Sequence, residues 1–184
     1  MKTALRATAG AGGATIRVWD PLVRLFHWSL VLAFFGAYLL GDDGGTLHQA
    51  LGYVALGLVA FRLAWGVVGS HHARFSSFVP SFGRFWQYLK DVVAGREQRS
   101  VGHNPAGAVM ILALLAMVAA TGITGWMTTT DAFWGSDWVG EVHEAGANGI
   151  LILAGIHLAG VLFSSLRHRE NLIRSILTGR KRAD

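Results

Sequence analysis

Four stretches of about 20 mostly apolar residues dominate this chain, each long enough to cross a hydrocarbon core of ~30 Å as a helix. They run from about Pro21 to Leu40, Leu47 to Val68, Ala106 to Met127 and Val142 to Leu166. A helix satisfies its own backbone in lipid, so the expected fold class is all-α, an integral membrane four-helix bundle. Composition agrees, with 52% hydrophobic and 15% charged residues, against about 25% charged in soluble chains. At 184 residues there is room for one domain. The absence of cysteine excludes disulfides, thiolate metal sites, iron–sulfur clusters and covalent c-type haem attachment.

A net charge of +5 alone fits nucleic acid as well as a membrane surface, and the placement of the charges decides for the membrane, with no nucleic-acid partner expected. Of the 16 Lys and Arg, four precede or open the first span (Lys2, Arg6, Arg17, Arg24). Five lie between spans two and three (Arg74, Arg84, Lys90, Arg96, Arg99), and six follow span four (Arg167, Arg169, Arg174, Arg180, Lys181, Arg182). The connections between spans one and two and between three and four carry Asp42, Asp43, Asp131, Asp137 and Glu141 instead. By the positive-inside rule both termini are expected in the cytoplasm. Residues 1–15, rich in Gly and Ala without an apolar run, read as a disordered cytoplasmic tail rather than a cleaved leader. Residues 16–178 form the four-span domain, and 179–184 a basic cytoplasmic tail. Between spans two and three, Phe82, Phe85, Trp86, Leu89 and Val93 recur at helical spacing among Arg84, Lys90 and Asp91. That predicts a short helix, lying either in the membrane interface or on the ends of the spans.

Ionisable residues within a span are costly and mark function by default. Four histidines qualify: His27, His48, His143 and His157. His71, His72, His103 and His168 fall in the loop or tail and read as solvated or headgroup-facing. His143 and His157 are fourteen residues apart, close to four full turns, so both face one way ~21 Å apart along the helix. His27 shares the cytoplasmic-side depth of His157, and His48 the outer depth of His143. The expectation is two pairs, His27 with His157 and His48 with His143.

A zinc site would normally want more ligands, with carboxylate or thiolate among them. Haem iron needs two axial ligands only, so each pair fits one b-type haem. Gly52 follows His48 on the same face, Gly146 and Gly160 follow their histidines by three, and Gly122 and Gly125 interrupt span three, positions where a flat ring could lie against backbone. Arg62 is fourteen residues after His48, at the depth of the inner pair, with no Asp or Glu at that depth. It would either hold a haem propionate or extend along its stem to the headgroups. Arg24 and Arg17 are nearer the surface and could serve similarly.

The segments Val18–Trp28, His48–Tyr53 and Phe61–Gly66, with His143-Glu144 followed by His157, resemble the prokaryotic cytochrome b561 group, which includes the b-type subunit of nickel–iron hydrogenases. The resemblance covers about residues 16–178 and implies the same two pairings. It also implies electron exchange between the quinone pool of a bacterial inner membrane and a partner redox protein, such as a periplasmic c-type cytochrome or a hydrogenase. The chain then reads as an electron-transfer subunit with two haem b, with no catalytic acid, base or nucleophile. Relatives in this superfamily also act as superoxide:quinone oxidoreductases, an alternative that the acidic outer face disfavours. A histidine-based proton or metal transporter is a second alternative, disfavoured by four unbroken spans. Asp42, Asp43, Asp131, Asp137, Glu141 and Glu144 either dock a basic partner or merely complement the positive-inside bias. Reversing Asp131 and Asp137 separates the two, since an unchanged salt dependence of electron transfer would remove the docking reading.

Overall fold

In a computed structural model, residues 14–41 and 44–183 are described. Most of the expected N-terminal tail, with Lys2 and Arg6, and the pair Asp42 and Asp43 lie outside them. The elements are β1 (Thr15–Arg17), α1 (Pro21–Leu39), α2 (Thr46–Val68), α3 (Phe75–Phe78), α4 (Phe82–Val93), α5 (Pro105–Met127), α6 (Asp137–Arg167), α7 (Leu172–Thr178) and β2 (Arg180–Arg182). A single 3₁₀ turn at Asp131–Phe133 leads into α6. Helices α1, α2, α5 and α6 are the four apolar spans of a membrane helix bundle.

Their starts are set by local chemistry. Asp20 caps α1 by accepting from the Val23 amide at 2.9 Å, and Pro21 follows in the first turn, where its missing N–H costs nothing. Asn104 and Pro105 repeat the device at α5, with the Gly107 amide at 2.6 Å. Helix α6 begins at Asp137, five residues before the hydropathy boundary, and its 31 residues reach ~46 Å, more than a hydrocarbon core. Its polar first turns therefore extend beyond the apolar layer, where Asp137 complements the helix N-terminus.

Packing runs α1 on α2, α2 on α5 and α5 on α6, with no comparably close approach of α1 to α6. The buried centre is thin: Phe26, Ala33, Ala55, Val59, Leu115, Val118 and Ile150. Outward-facing Leu32, Leu39, Val67, Val68 and Leu166 are 72–81% exposed, as side chains facing lipid would be. Helix α4 combines both sequence readings. It packs on α5 and leaves Phe82, Trp86 and Val93 exposed along one stripe, an apolar edge free to enter a membrane interface.

The segments that flank the four spans meet. Thr15–Arg17 pairs antiparallel with Arg180–Arg182, so these two segments sit together at one end of the bundle, hereafter the basic end. Arg24 donates to the carbonyls of Ile176 (3.1 Å) and Leu177, capping α7, so it is committed here rather than free for an anion. Arg17 lies in β1. Glu170 is the hub. It accepts from Nη2 and Nε of Arg99 (2.8 and 3.2 Å) and from the Arg182 amide (3.1 Å), and Lys181 stands 3.4 Å away.

Burial pushes the Glu170 carboxyl up, but Arg99, Lys181 and the Arg182 amide outweigh it and hold the group below the usual range. A lowered folded pKa contributes stability above the ordinary value of 4.5 and loses it as pH falls below that. Glu170→Gln is expected to cost the ribbon about 3 kcal/mol, the lower end for removing one partner of a buried ion pair. Hydrogen exchange at the amides of residues 180–182 reads this, speeding in the variant and in wild type below pH 4.5.

Candidate haem-ligating histidine pairs

Near the acidic end, His48 at the start of α2 faces His143 of α6, ring centroids 5.9 Å apart and planes at 78°. The Nδ1 of His48 bonds the Ala37 carbonyl at 2.9 Å, and the Nδ1 of His143 bonds the Thr121 carbonyl at 2.8 Å. A carbonyl only accepts, so each Nδ1 carries a proton, and in the neutral ring this leaves the lone pair on Nε2. This is the arrangement by which metal-binding histidines are oriented. Two imidazoles bound to one metal from opposite sides at about 2 Å each would set their centroids roughly 6 Å apart, close to the spacing found.

Glycine makes the site possible in two different ways. A Cβ on Gly125 would stand 2.7 Å from His143 Cε1, so only glycine there admits the imidazole. A Cβ on Gly52 would meet nothing within 4 Å, because Gly52 borders a cleft of about 200 Å³ shared with His48, His143, Tyr53, Gly122 and Gly125. Other glycines expected at a ring serve helix packing. Gly146 would collide with Thr121 Oγ1 at 2.4 Å, and Gly122 with Leu56 at 2.6 Å. Gly160 faces open space, as Gly52 does.

Toward the basic end, His27 of α1 and His157 of α6 flank the loosely closed seam, within electrostatic range of each other. Farther along that seam, Tyr38 donates to Asn148 Oδ1 at 2.8 Å. His27 Nδ1 is enclosed without a hydrogen-bond partner. Arg62 is 3% exposed, with Nη2 on the Ala73 carbonyl (3.0 Å), its guanidinium 4.7 Å from the Phe75 ring centre, and Nη1 enclosed and unpartnered. It thus reaches toward the loop after α2 and ends enclosed by protein. Among the described residues no three His, Asp or Glu side chains converge as a bare metal ion would require.

Two residues escaped the sequence reading. Asp20 is more than a cap, since it also accepts from Trp65 Nε1 (3.2 Å) and from the Ser70 hydroxyl, tying α1 to the end of α2. His103, expected to be solvated, instead has its ring between Trp19 (4.6 Å) and Phe78 (4.4 Å), with Nδ1 enclosed and unpartnered. Its position one residue before the Asn104 cap was the available signal, because it puts the ring at the edge of the apolar layer beside Arg62.

A mostly helical, four-span bundle with a pair of histidines facing each other across two helices fits a multi-pass membrane cytochrome. The sequence places it more narrowly: residues 18–179 match the profile of the prokaryotic cytochrome b561 family, and the chain belongs to that family. It is accordingly a membrane electron-transfer haem protein of b type. It is similar to proteins described as "Probable Ni/Fe-hydrogenase B-type cytochrome subunit" from several bacteria. That of Bradyrhizobium diazoefficiens is 23% identical, covering 92% of this chain and 87% of the relative. Those of Rhizobium leguminosarum bv. viciae and Rhodobacter capsulatus are each 24% identical over 91% of this chain, covering 89% and 81% of their own lengths. No solved structure matches the chain significantly.

Proposed function

We propose that this protein carries electrons across a bacterial inner membrane through two haem b groups, one between His48 and His143 and the other between His27 and His157. The observation that carries the reading is the pair of Nδ1–carbonyl bonds at His48 and His143, which leaves two Nε2 lone pairs on rings 5.9 Å apart. Bound there, each haem would supply a one-electron carrier. The chain's own part is to orient the ligands, shield them from water and set the charge around them. Ala37 and Thr121 hold the acidic-end ligands by their carbonyls, and Gly52 leaves room beside them. The enclosed, unpartnered nitrogens of His27 and Arg62 fit a missing group at the other depth.

Both termini lie in the cytoplasm in this reading, which the lysines and arginines gathered at the basic end support. The electron partners are the quinone pool and a second redox protein. A nickel–iron hydrogenase is the favoured class, because the relatives bear that name and are matched nearly end to end. A c-type cytochrome is the other. The test is a dithionite-reduced minus oxidised spectrum of the purified protein, with pyridine extraction for stoichiometry. Two b haems per chain are expected, and well-folded protein without haem would overturn the reading.

A further inference from the structure

Three enclosed nitrogens without hydrogen-bond partners lie toward the basic end: His27 Nδ1, Arg62 Nη1 and His103 Nδ1. Leaving such groups unpaired is unfavourable, most of all for a charged one. They form one neighbourhood. His157 is within electrostatic range of both His27 and His103, and Arg62 is within range of His103. The four-residue helix α3 joins the last two, Phe75 lying under the Arg62 guanidinium and Phe78 against the His103 ring. Gly66 admits that helix, since a Cβ there would stand 2.0 Å from Phe75 Cε2.

Among the described residues no anion answers these groups. The charges acting on His103 come from Arg62, Lys181, His72 and His157, all cationic when charged. Asp20 acts on Arg62 from a distance, but its oxygens are taken by the Val23 amide, Trp65 and Ser70. Lys181 has its own carboxylate in Glu170. Burial, followed by Arg62 and the other cations, pushes His103 down to about 3, so it stands here as a neutral N–H donor beside a fixed cation. Burying a guanidinium without a counter-ion is unfavourable unless an anion arrives with a ligand.

We propose that Arg62 and His103 together hold a propionate carboxylate of the haem between His27 and His157. The inference rests on the two-haem reading above and makes His103 a positioning residue of that site. Arg62 supplies the charge and His103 a hydrogen bond, while Trp19 and Phe78 keep the imidazole in place. A cation beside a haem carboxylate favours the reduced, more negative form, so its loss should lower that haem's potential.

The experiment is an optical redox titration of full-length, haem-loaded protein, wild type against Arg62→Gln, His103→Leu and His103→Gln. Arg62→Gln and His103→Leu are expected to shift one haem about tenfold toward its oxidised form at fixed ambient potential, about 59 mV for a one-electron couple. His103→Gln, which keeps an N–H donor, should recover most of the shift. The haem that is lost in His143→Ala should not move. Two haems with unmoved potentials in all three variants would overturn this inference alone. Unmoved potentials with loss of a co-purifying phospholipid in native mass spectrometry would overturn it in favour of a lipid phosphate. Wild-type protein without haem would overturn the two-haem reading and this inference with it.

Discussion

His143→Ala should purify with one haem b per chain in place of two, and His48→Ala should give the same product. Each variant removes one of the two nitrogens proposed to hold this haem and leaves its partner ring with its Nδ1 bond to Ala37 or Thr121 intact. The remaining imidazole would hold haem from one side only, which weakens retention at a site with no covalent link, since the sequence has no cysteine. His27→Ala and His157→Ala should each lose the other haem, and His27→Ala/His48→Ala should lose both. The readout is pyridine-extracted haem per polypeptide, with helical content and monodispersity as controls for folding. If His48→Ala and His143→Ala lost different haems, distinguishable by potential, the pairing across α2 and α6 would be wrong.

Two glycine substitutions should strip the same haem for opposite reasons. In Gly125→Val the new Cβ would stand 2.7 Å from His143 Cε1 and 2.9 Å from its Nδ1, closer than a Cβ can approach. The ring must swing off the Thr121 carbonyl, and the ligand is lost through the protein's own packing. In Gly52→Leu the new Cβ meets nothing within 4 Å, and the side chain extends into the cleft beside His48 and His143. The polypeptide should even gain roughly 0.8–1 kcal/mol of helix propensity. Loss of one haem from Gly52→Leu, in protein at least as heat-stable as wild type when both are stripped of haem, would mean that haem occupies this space. Retention of two haems with an unchanged spectrum would mean that it does not.

Much of this was legible along the chain, because hydropathy and helical period are local properties. Spans are recognised by length, and the starts at Pro21 and Pro105 by a capping residue followed by proline. Residues fourteen apart share a face whatever the helix packs against, so the depths of His143 and His157 followed from their numbers alone. The approach of His48 to His143 agrees with that arithmetic. The start of α6 did not follow, because a helix ends where its hydrogen bonds end and not where its side chains turn polar.

What the sequence determined by itself is therefore the membrane bundle, the basic and acidic ends, and two histidines at each of two depths. Tertiary structure decided which neighbours those groups have. Trp19 reaches Ser175 across 156 residues, and Arg99 reaches Glu170 across 71, tying the segment before span one to the segment after span four, while α7 occupies Arg24. Glycines indistinguishable in sequence became a ring-admitting gap at Gly125, helix contacts at Gly122 and Gly146, and open space at Gly52. His103 moved from a solvated loop to an enclosed place beside Arg62 because Trp19 and Phe78 close on it from distant segments. Periodicity fixes how deep a residue lies and which way it faces, but a side chain's partners depend on the packing of elements far apart in the chain, and that only the folded molecule specifies.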